Sequence, residues 1–331
     1  MITVSHELLT IGRISVDIYP NDIGVGLEDV NSFGKYLGGS PSNVAVAAAR
    51  HGRRTAVITR TGDDSFGAYL HRELRKFNVD DQFVTPVAKL QTPVTFCAIM
   101  PPDDFPLYFY GRFPTAPDLQ IRAAELDTDA IRDARVFWST VTGLSQEPSR
   151  GAHLRAHEAR DRDQLRIGQY TILDLDYRPM FWESEEAART QIARILPHVT
   201  VAIGNDKECA VAVGEGTPDE QADRLLAAGV EIAVVKLGPE GVMAKTRTER
   251  VVSAPVPVET LNGLGAGDSF GGAFVHGLLS GWPLERVLDY ANAAGAIVAS
   301  RLSCADAMPT PEEVNSLLAE RGRLTPEGAA Q

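Results

Sequence analysis

After Pro117 the chain alternates between short apolar, β-branched runs and longer segments whose apolar residues recur at helical spacing. Helices are expected at about 123–133, 148–160, 184–194 and 218–228. Strands are expected at Val136 to Ser139, Tyr170 to Leu175, Val199 to Ile203 and Ile232 to Leu237. This alternation predicts an α/β fold, a mostly parallel central sheet covered by helices on both faces. Upstream, Glu7 to Ile14 and Thr55 to Thr59 read as strands, and about 66–77 as an amphipathic helix. Thr92 to Met100 and Leu107 to Tyr110 are separated only by the turn-rich Pro101-Pro102-Asp103-Asp104, so they read as an antiparallel excursion. Helices at about 284–300 and 311–320 close the chain, and the small, polar last ten residues are expected to fray. The expected organisation is one α/β domain over residues 1–331, with a small β lid from about 13–37 and 91–118. Ligands of open α/β sheets sit beyond the carboxyl ends of the strands. Asp17, Asp174, Asn205, Gly238 and Asp268 all follow expected strands and should collect along one rim.

A formal charge of −12 and no Lys/Arg run argue against nucleic acid as a partner. No signal-peptide pattern or membrane-length apolar run is present, so the chain reads as cytoplasmic with no membrane partner. Cys97, Cys209 and Cys304 are odd in number and far apart, which suits a reducing compartment. His153 and His157 stand at helical spacing with no third metal ligand nearby and read as an exposed face.

Two glycine-rich stretches each open a helix. In Asn262-Gly263-Leu264-Gly265-Ala266-Gly267-Asp268, alternate glycines let backbone N–H groups approach a ligand, and a helix starting near Asp268 adds unpaired donors and a partial positive charge. Such a turn suits an anion; equally, Asp268 is a favoured N-cap residue and the glycines make a tight turn. The second stretch, Gly38-Gly39-Ser40-Pro41-Ser42-Asn43, runs into the small residues 44–49, with Ser40 placed as N-cap and Pro41 at the first helical position. Neither stretch is a Walker loop or a dinucleotide fingerprint.

Gly38-Gly39-Ser40-Pro41-Ser42-Asn43-Val44-Ala45 with Gly52 and Gly62, together with Gly265-Ala266-Gly267-Asp268, resembles the two signatures of the PfkB, or ribokinase-like, carbohydrate kinases. The resemblance extends over nearly the whole chain and implies an ATP- and Mg2+-dependent sugar kinase of ribokinase-like fold. It implies that Asp268 is the general base and that Gly265, Ala266 and Gly267 present N–H groups to the transferring phosphoryl group. Asp17, Gly38, Gly39 and Asn43 resemble sugar-holding positions. Asn205-Asp206-Lys207-Glu208 looks like the motif that organises magnesium, with Glu208 toward the metal. Lys236, Gly238 and Gly241 resemble the nucleotide loop, and Asn292 matches a position beside the adenine. Where the family usually has Asp-Thr or Asp-Pro before the core, this chain has Asn262-Gly263, which leaves monovalent-cation activation open.

Asp174-Leu175-Asp176-Tyr177-Arg178-Pro179 is similar to the Asp-x-Asn-x-Arg motif of sugar-acid kinases, and Tyr108-Phe109-Tyr110-Gly111-Arg112 supplies a second arginine on the expected lid. The resemblance implies that Arg178 and Arg112 hold a substrate carboxylate; contact with ATP phosphates, or a lid-surface position, is the alternative. Residues 23–30, 35–40, 117–119 and 304–310 narrow the resemblance to the 5-dehydro-2-deoxygluconokinase subfamily of myo-inositol catabolism. Alternatives are a 2-keto-3-deoxygluconate kinase, a fructokinase-like enzyme, and a sugar-binding regulator without turnover. The implied partners are a sugar acid and ATP, and whether the chain forms a homo-oligomer stays open.

Overall fold

The computed structural model describes residues 6–323, so most of the terminal stretch expected to fray lies outside the described residues. Strand β1 (Leu8–Ile11) is buried at every position and leads into β2 (Ser15–Pro20) and β3 (Phe33–Gly38) of a second sheet. Helix α1 (Ser40–Arg50), strand β4 (Thr55–Gly62) and helix α2 (Ser65–Lys76) follow. The short β5 (Val79–Asp80) and β6 (Val84–Val87) both pair with β4, and β7 (Val94–Cys97) and β8 (Leu107–Tyr110) complete the second sheet. Then come α3 (Thr128–Asp133), β9 (Val136–Thr140), α4 (Ser149–Ala159), β10 (Tyr170–Asp174), α5 (Glu185–Ile195) and β11 (Val201–Asn205). The alternation continues with α6 (Asp206–Val213), α7 (Pro218–Ala227), β12 (Ile232–Lys236), β13 (Val242–Lys245) and β14 (Arg250–Ser253). Helices α8 (Ala266–Leu279), α9 (Leu284–Ala299) and α10 (Pro311–Glu320) finish it.

The main sheet runs β14-β13-β12-β11-β10-β9-β1-β4-β5, parallel from β12 to β5 and antiparallel only through β13 and β14. Side chains alternate across it, as a strand's period of two demands. Ile172 and Val234 join Phe274 and Ala291 on the α8–α9 face, while Leu173 and Val235 join Ile192 and Leu225 on the α5–α7 face. Both faces are therefore dry, which explains the continuous apolar runs in the sequence. The second sheet has the order β3-β2-β7-β8. Its two hairpin-like pairs are antiparallel, but β2 joins β7 in parallel, so the two sequence pieces meet through a parallel seam.

Helices α1 and α8 cross closely because their contact residues are small. A Cβ on Gly272 would stand 2.3 Å from Ala47 Cβ, and one on Gly271 would stand 2.7 Å from the Trp138 ring. That crossing sets the amino ends of the two helices side by side.

Several expectations need correcting. Gly39, not Ser40, is the N-cap residue of α1, because its φ of 98° turns the chain out of β3. Helix α3 starts only at Thr128, and α6 and β13 are additional elements too short for periodicity to expose. His153 and His157 are buried, not exposed: they lie on the inner face of α4, where Ser149 O meets His153 Nδ1 at 2.9 Å and Ser139 Oγ meets His157 Nε2 at 2.7 Å. Burial lowers the pKa of both. The three cysteines are free and buried. Among the described residues no helix is long and apolar enough to cross a membrane.

Candidate active site

Helix α8 begins at Ala266, two residues earlier than expected, with Gly265 as its N-cap residue in the left-handed region at φ 80°. A side chain at Gly265 would be strained by that φ and would also place its Cβ 2.5 Å from Cys304 Sγ. The first-turn N–H groups of Ala266, Gly267 and Asp268 are the ones an α-helix leaves unpaired. Asp268 is thus not the cap but the third helical residue. Its Oδ2 accepts from Asn43 Nδ2 at 2.8 Å, a contact made possible by the α1–α8 crossing. Burial raises the Asp268 pKa, and hydrogen bonds from Asn43 and Ser40 oppose the rise. The Asn43 Oδ1 acceptor is buried without a partner.

Asp17 does not follow a main-sheet strand as expected; it sits inside β2 of the second sheet. A Cβ on Gly38 would lie 2.0–2.1 Å from the Asp17 carboxyl atoms, so this glycine makes room for Asp17 itself. Gly39, with its positive φ, leaves the Arg13 carbonyl clear, since a Cβ there would approach it to 2.6 Å. Burial pushes the Asp17 carboxyl up to about 7, against the pull of the Ser15 hydroxyl and Arg13.

Asp17, Gly39, Asn43, Gly265, Gly267 and Asp268 line a polar cleft of about 310 Å³, together with Asp174, Glu208 and Lys236. A second, more apolar groove of about 550 Å³ is walled by Val256, Phe270, Ala296 and Ala299, with Gly238, Gly241 and Asn292 at its edge. The two cavities share Lys236 and Gly267, so they meet at the first turn of α8. Gly241 must be glycine, with φ 97° and a would-be Cβ 2.2 Å from Ser253 O, whereas Gly238 faces open space. The Asn292 amide donates to Ser253 Oγ at 3.0 Å and to Ala254 O at 3.2 Å, bracing the groove wall.

Asn205 and Glu208 form a capping box on α6, with Glu208 Oε2 accepting from Asn205 N at 2.7 Å and Asn205 Oδ1 accepting from Glu208 N at 2.9 Å. Lys236 Nζ lies 3.9 Å from Glu208 Oε2. Burial lowers the Lys236 pKa, but the surrounding carboxylates of Glu208, Asp174, Asp176 and Asp268 outweigh it and hold the ammonium charged. Among the described residues no group of three or more His, Cys, Asp or Glu side chains could hold a metal ion. Asn262 is fully buried and uses its amide to brace the loop, donating to Leu302 O at 2.6 Å and accepting from Leu264 N at 3.0 Å.

The two expected arginines separate. Arg178 lines the polar cleft, with Nη2 2.8 Å from Asp176 Oδ1. Arg112 does not: its Nη1 is 3.0 Å from both Asp118 oxygens, and it faces a neighbouring cavity of about 560 Å³. It is also not on the lid surface, being 3% exposed under the Phe181 ring. Sequence reasoning passed over Arg13, which lies in the same cleft as Asp268 and donates to Asp176 Oδ2 at 2.9 Å. The signal was available, since Arg13 follows Gly12 just past the carboxyl end of a central strand. Cys304 also lines the cleft and shares a 2.8 Å hydrogen bond with the Tyr19 hydroxyl, tying β2 to the glycine turn.

Residues 5–311 match the family described as pfkB family carbohydrate kinase. The chain is 32% identical to a 5-dehydro-2-deoxygluconokinase of Geobacillus kaustophilus, over 94% of this chain and 93% of that protein. It is 29% identical to the Bacillus subtilis protein of the same name, over 95% and 96% respectively. The fold is ribokinase-like: a putative ribokinase II from E. coli, solved in complex with ATP and Mg2+, superposes with a TM-score of 0.85 at 23% identity, covering 95% of this chain and 99% of that one.

Proposed function

The chain belongs to the pfkB family of carbohydrate kinases and is an ATP-dependent sugar kinase; on that premise we propose that it phosphorylates the terminal hydroxyl of 5-dehydro-2-deoxygluconate. One observation carries the catalytic part of this reading. A polar cleft and an apolar groove meet at Gly267 and Lys236, with the Asp268 carboxylate on the polar side of the junction. The groove's apolar walls suit a purine, and the α8 first turn with Lys236 suits the phosphates. Bound with Mg2+, ATP supplies the γ-phosphoryl group.

In this reading Asp17 and the free Asn43 Oδ1 accept hydrogen bonds from the acceptor's hydroxyls, holding one of them against Asp268. Asp268 takes the proton of that hydroxyl as it attacks. The N–H groups of Ala266, Gly267 and Asp268, with Lys236, stabilise the charge that develops on the transferring oxygens. Glu208 and Asp174 are the carboxylates available to a magnesium ion, which keeps most of its shell as water and phosphate oxygens and needs only one or two. Gly38 and Gly39 hold open the space in which Asp17 and the backbone around Arg13 reach the sugar, while Gly238, Gly241 and Asn292 shape the nucleotide side. The assignment of the acceptor is supported by the names of the relatives and by a cleft that carries two arginines.

Steady-state ADP release across a panel of sugar acids and neutral sugars tests the reading. The expected result is the highest kcat/KM on 5-dehydro-2-deoxygluconate. Higher kcat/KM on 2-keto-3-deoxygluconate or on fructose would replace the proposed acceptor, and ADP release on none of them would remove it.

A further inference from the structure

We infer that Arg13, and not Arg112, is the cation that reads the carboxylate end of the acceptor, in a fork that Asp176 assembles with Arg178. This rests on the sugar-acid reading above and names the residues that would make it selective.

Place comes first. Arg13 leaves the carboxyl end of β1 and shares a cleft with Asp17, Asn43 and Asp268, where the acceptor must lie. Its guanidinium is held rather than free: Nη2 donates to Asp176 Oδ2 at 2.9 Å and Nε to Thr142 Oγ1 at 3.3 Å. Nη1 donates to no described residue, so one donor of the fork is left for a ligand.

Charge balance separates the two candidate arginines. Arg112 is matched one to one in charge, with Nη1 against both oxygens of Asp118, although its Nε and Nη2 are buried without a partner. Asp176 instead stands between two cations, with Oδ2 on Arg13 and Oδ1 on Arg178 at 2.8 Å. Two guanidiniums share this one carboxylate, while Glu208, Asp268 and Asp174 act on Arg178 more weakly than Asp176 does, so the pair presents a cationic edge that a substrate carboxylate would fit. Asp176 is therefore a positioning residue, which spends both oxygens on aiming the arginines. Both guanidiniums lie over the Phe181 ring, the carbon of Arg13 5.9 Å from its centroid and that of Arg112 4.5 Å. Arg112 lines the neighbouring cavity and not the cleft that holds Asp268. Asp17, an acid of the same cleft, is pushed by burial up to about 7, so it opposes an incoming carboxylate less than an ordinary aspartate would.

The test compares kcat/KM on 5-dehydro-2-deoxygluconate with kcat/KM on the same molecule bearing a primary alcohol in place of the carboxylate. Arg13→Met should lose about 10–150-fold on the acid and much less on the alcohol, with the KM for ATP unmoved. Arg112→Met should lower both acceptors in equal proportion. Where Arg13→Met does not fold, Arg13→Gln, which keeps an N–H donor and leaves Asp176 on Arg178, is read by the same ratio. Equal losses on acid and alcohol would reduce Arg13 to a structural brace, and a selective loss in Arg112→Met alone would restore the other arginine; either result overturns the proposal. A wild-type enzyme that prefers the alcohol would sink the sugar-acid reading itself, a separate failure visible before any variant is made.

Discussion

Replacing Asp268 by asparagine isolates proton transfer from everything else the side chain does. The substitution is isosteric, and Asn43 Nδ2, 2.8 Å from Oδ2, can still donate to the amide oxygen that takes its place. What disappears is the ability to accept the acceptor's proton. A general base contributes about 10²–10⁴ in rate, or about 3–5 kcal/mol at 1.36 kcal/mol per decade. A weakened hydrogen bond is worth about 1 kcal/mol, roughly fivefold. The two roles are therefore separable by size: kcat should fall at least 100-fold, with nucleotide affinity kept. The wild-type rate should also carry an acid limb. Burial raises the Asp268 pKa above its ordinary 3.8, so the base is lost as pH falls through that raised value, and the variant should lack the limb. Stability moves the other way. A folded pKa above the unfolded one means that the ionised carboxylate is disfavoured by folding at pH above the folded value, and that this cost fades as pH drops toward 3.8. Asp268→Asn should accordingly raise Tm at pH 8 and not at pH 4. Steady-state kinetics and thermal melts over that range read both effects. A variant within tenfold of wild-type kcat would refute the assignment of Asp268 as base.

Gly272→Ala drives a methyl to 2.3 Å from Ala47 Cβ, and because backbone as well as side chain stands there, the helices must part. It should cost about 1–3 kcal/mol in denaturant unfolding and lower kcat by disturbing the Asn43–Asp268 contact; an unchanged midpoint would contradict the close crossing. His51 is buried, and burial together with His276, Arg53 and Arg50 lowers its pKa to about 3. The unfolded chain takes that proton from about pH 6.5 downward, so His51 removes about 1.4 kcal/mol of stability per pH unit below 6.5 until its folded value is reached. His51→Gln should flatten the fall of Tm between pH 6.5 and 5, and an equally steep fall would show that other groups control it. The second sheet, built from β2, β3, β7 and β8 and carrying Asp17 into the cleft, is proposed to close over the acceptor. Its amides should gain hydrogen-exchange protection with acceptor and a non-hydrolysable ATP analogue, and equal protection in both states would count against closure.

Much of this architecture was already legible in local pattern. Apolar runs such as 199–203 and 232–237 gave parallel strands because both faces of the main sheet are dry, and the sequence records that without reference to distant residues. The glycine turn was legible for a similar reason: Gly265 occupies a backbone conformation that side chains resist, so residue type and geometry are locally linked. Short elements such as α6 and β13 escaped because eight and four residues hold too little periodicity. What the chain's order could not settle was which distant groups meet. Asn43 reaches Asp268 across 225 positions and Arg13 reaches Asp176 across 163, and each contact depends on how helices and strands pack. Arg112 and Arg13 are the same residue type near the same rim, yet one is neutralised by a carboxylate six positions away and the other shares its counter-ion with Arg178. His153 and His157 likewise fit an exposed helix by spacing, and only the packing of α4 turned them inward. Periodicity is a property of neighbours along the chain, whereas ion pairing and burial fall off with distance in space, and only the tertiary structure sets that distance.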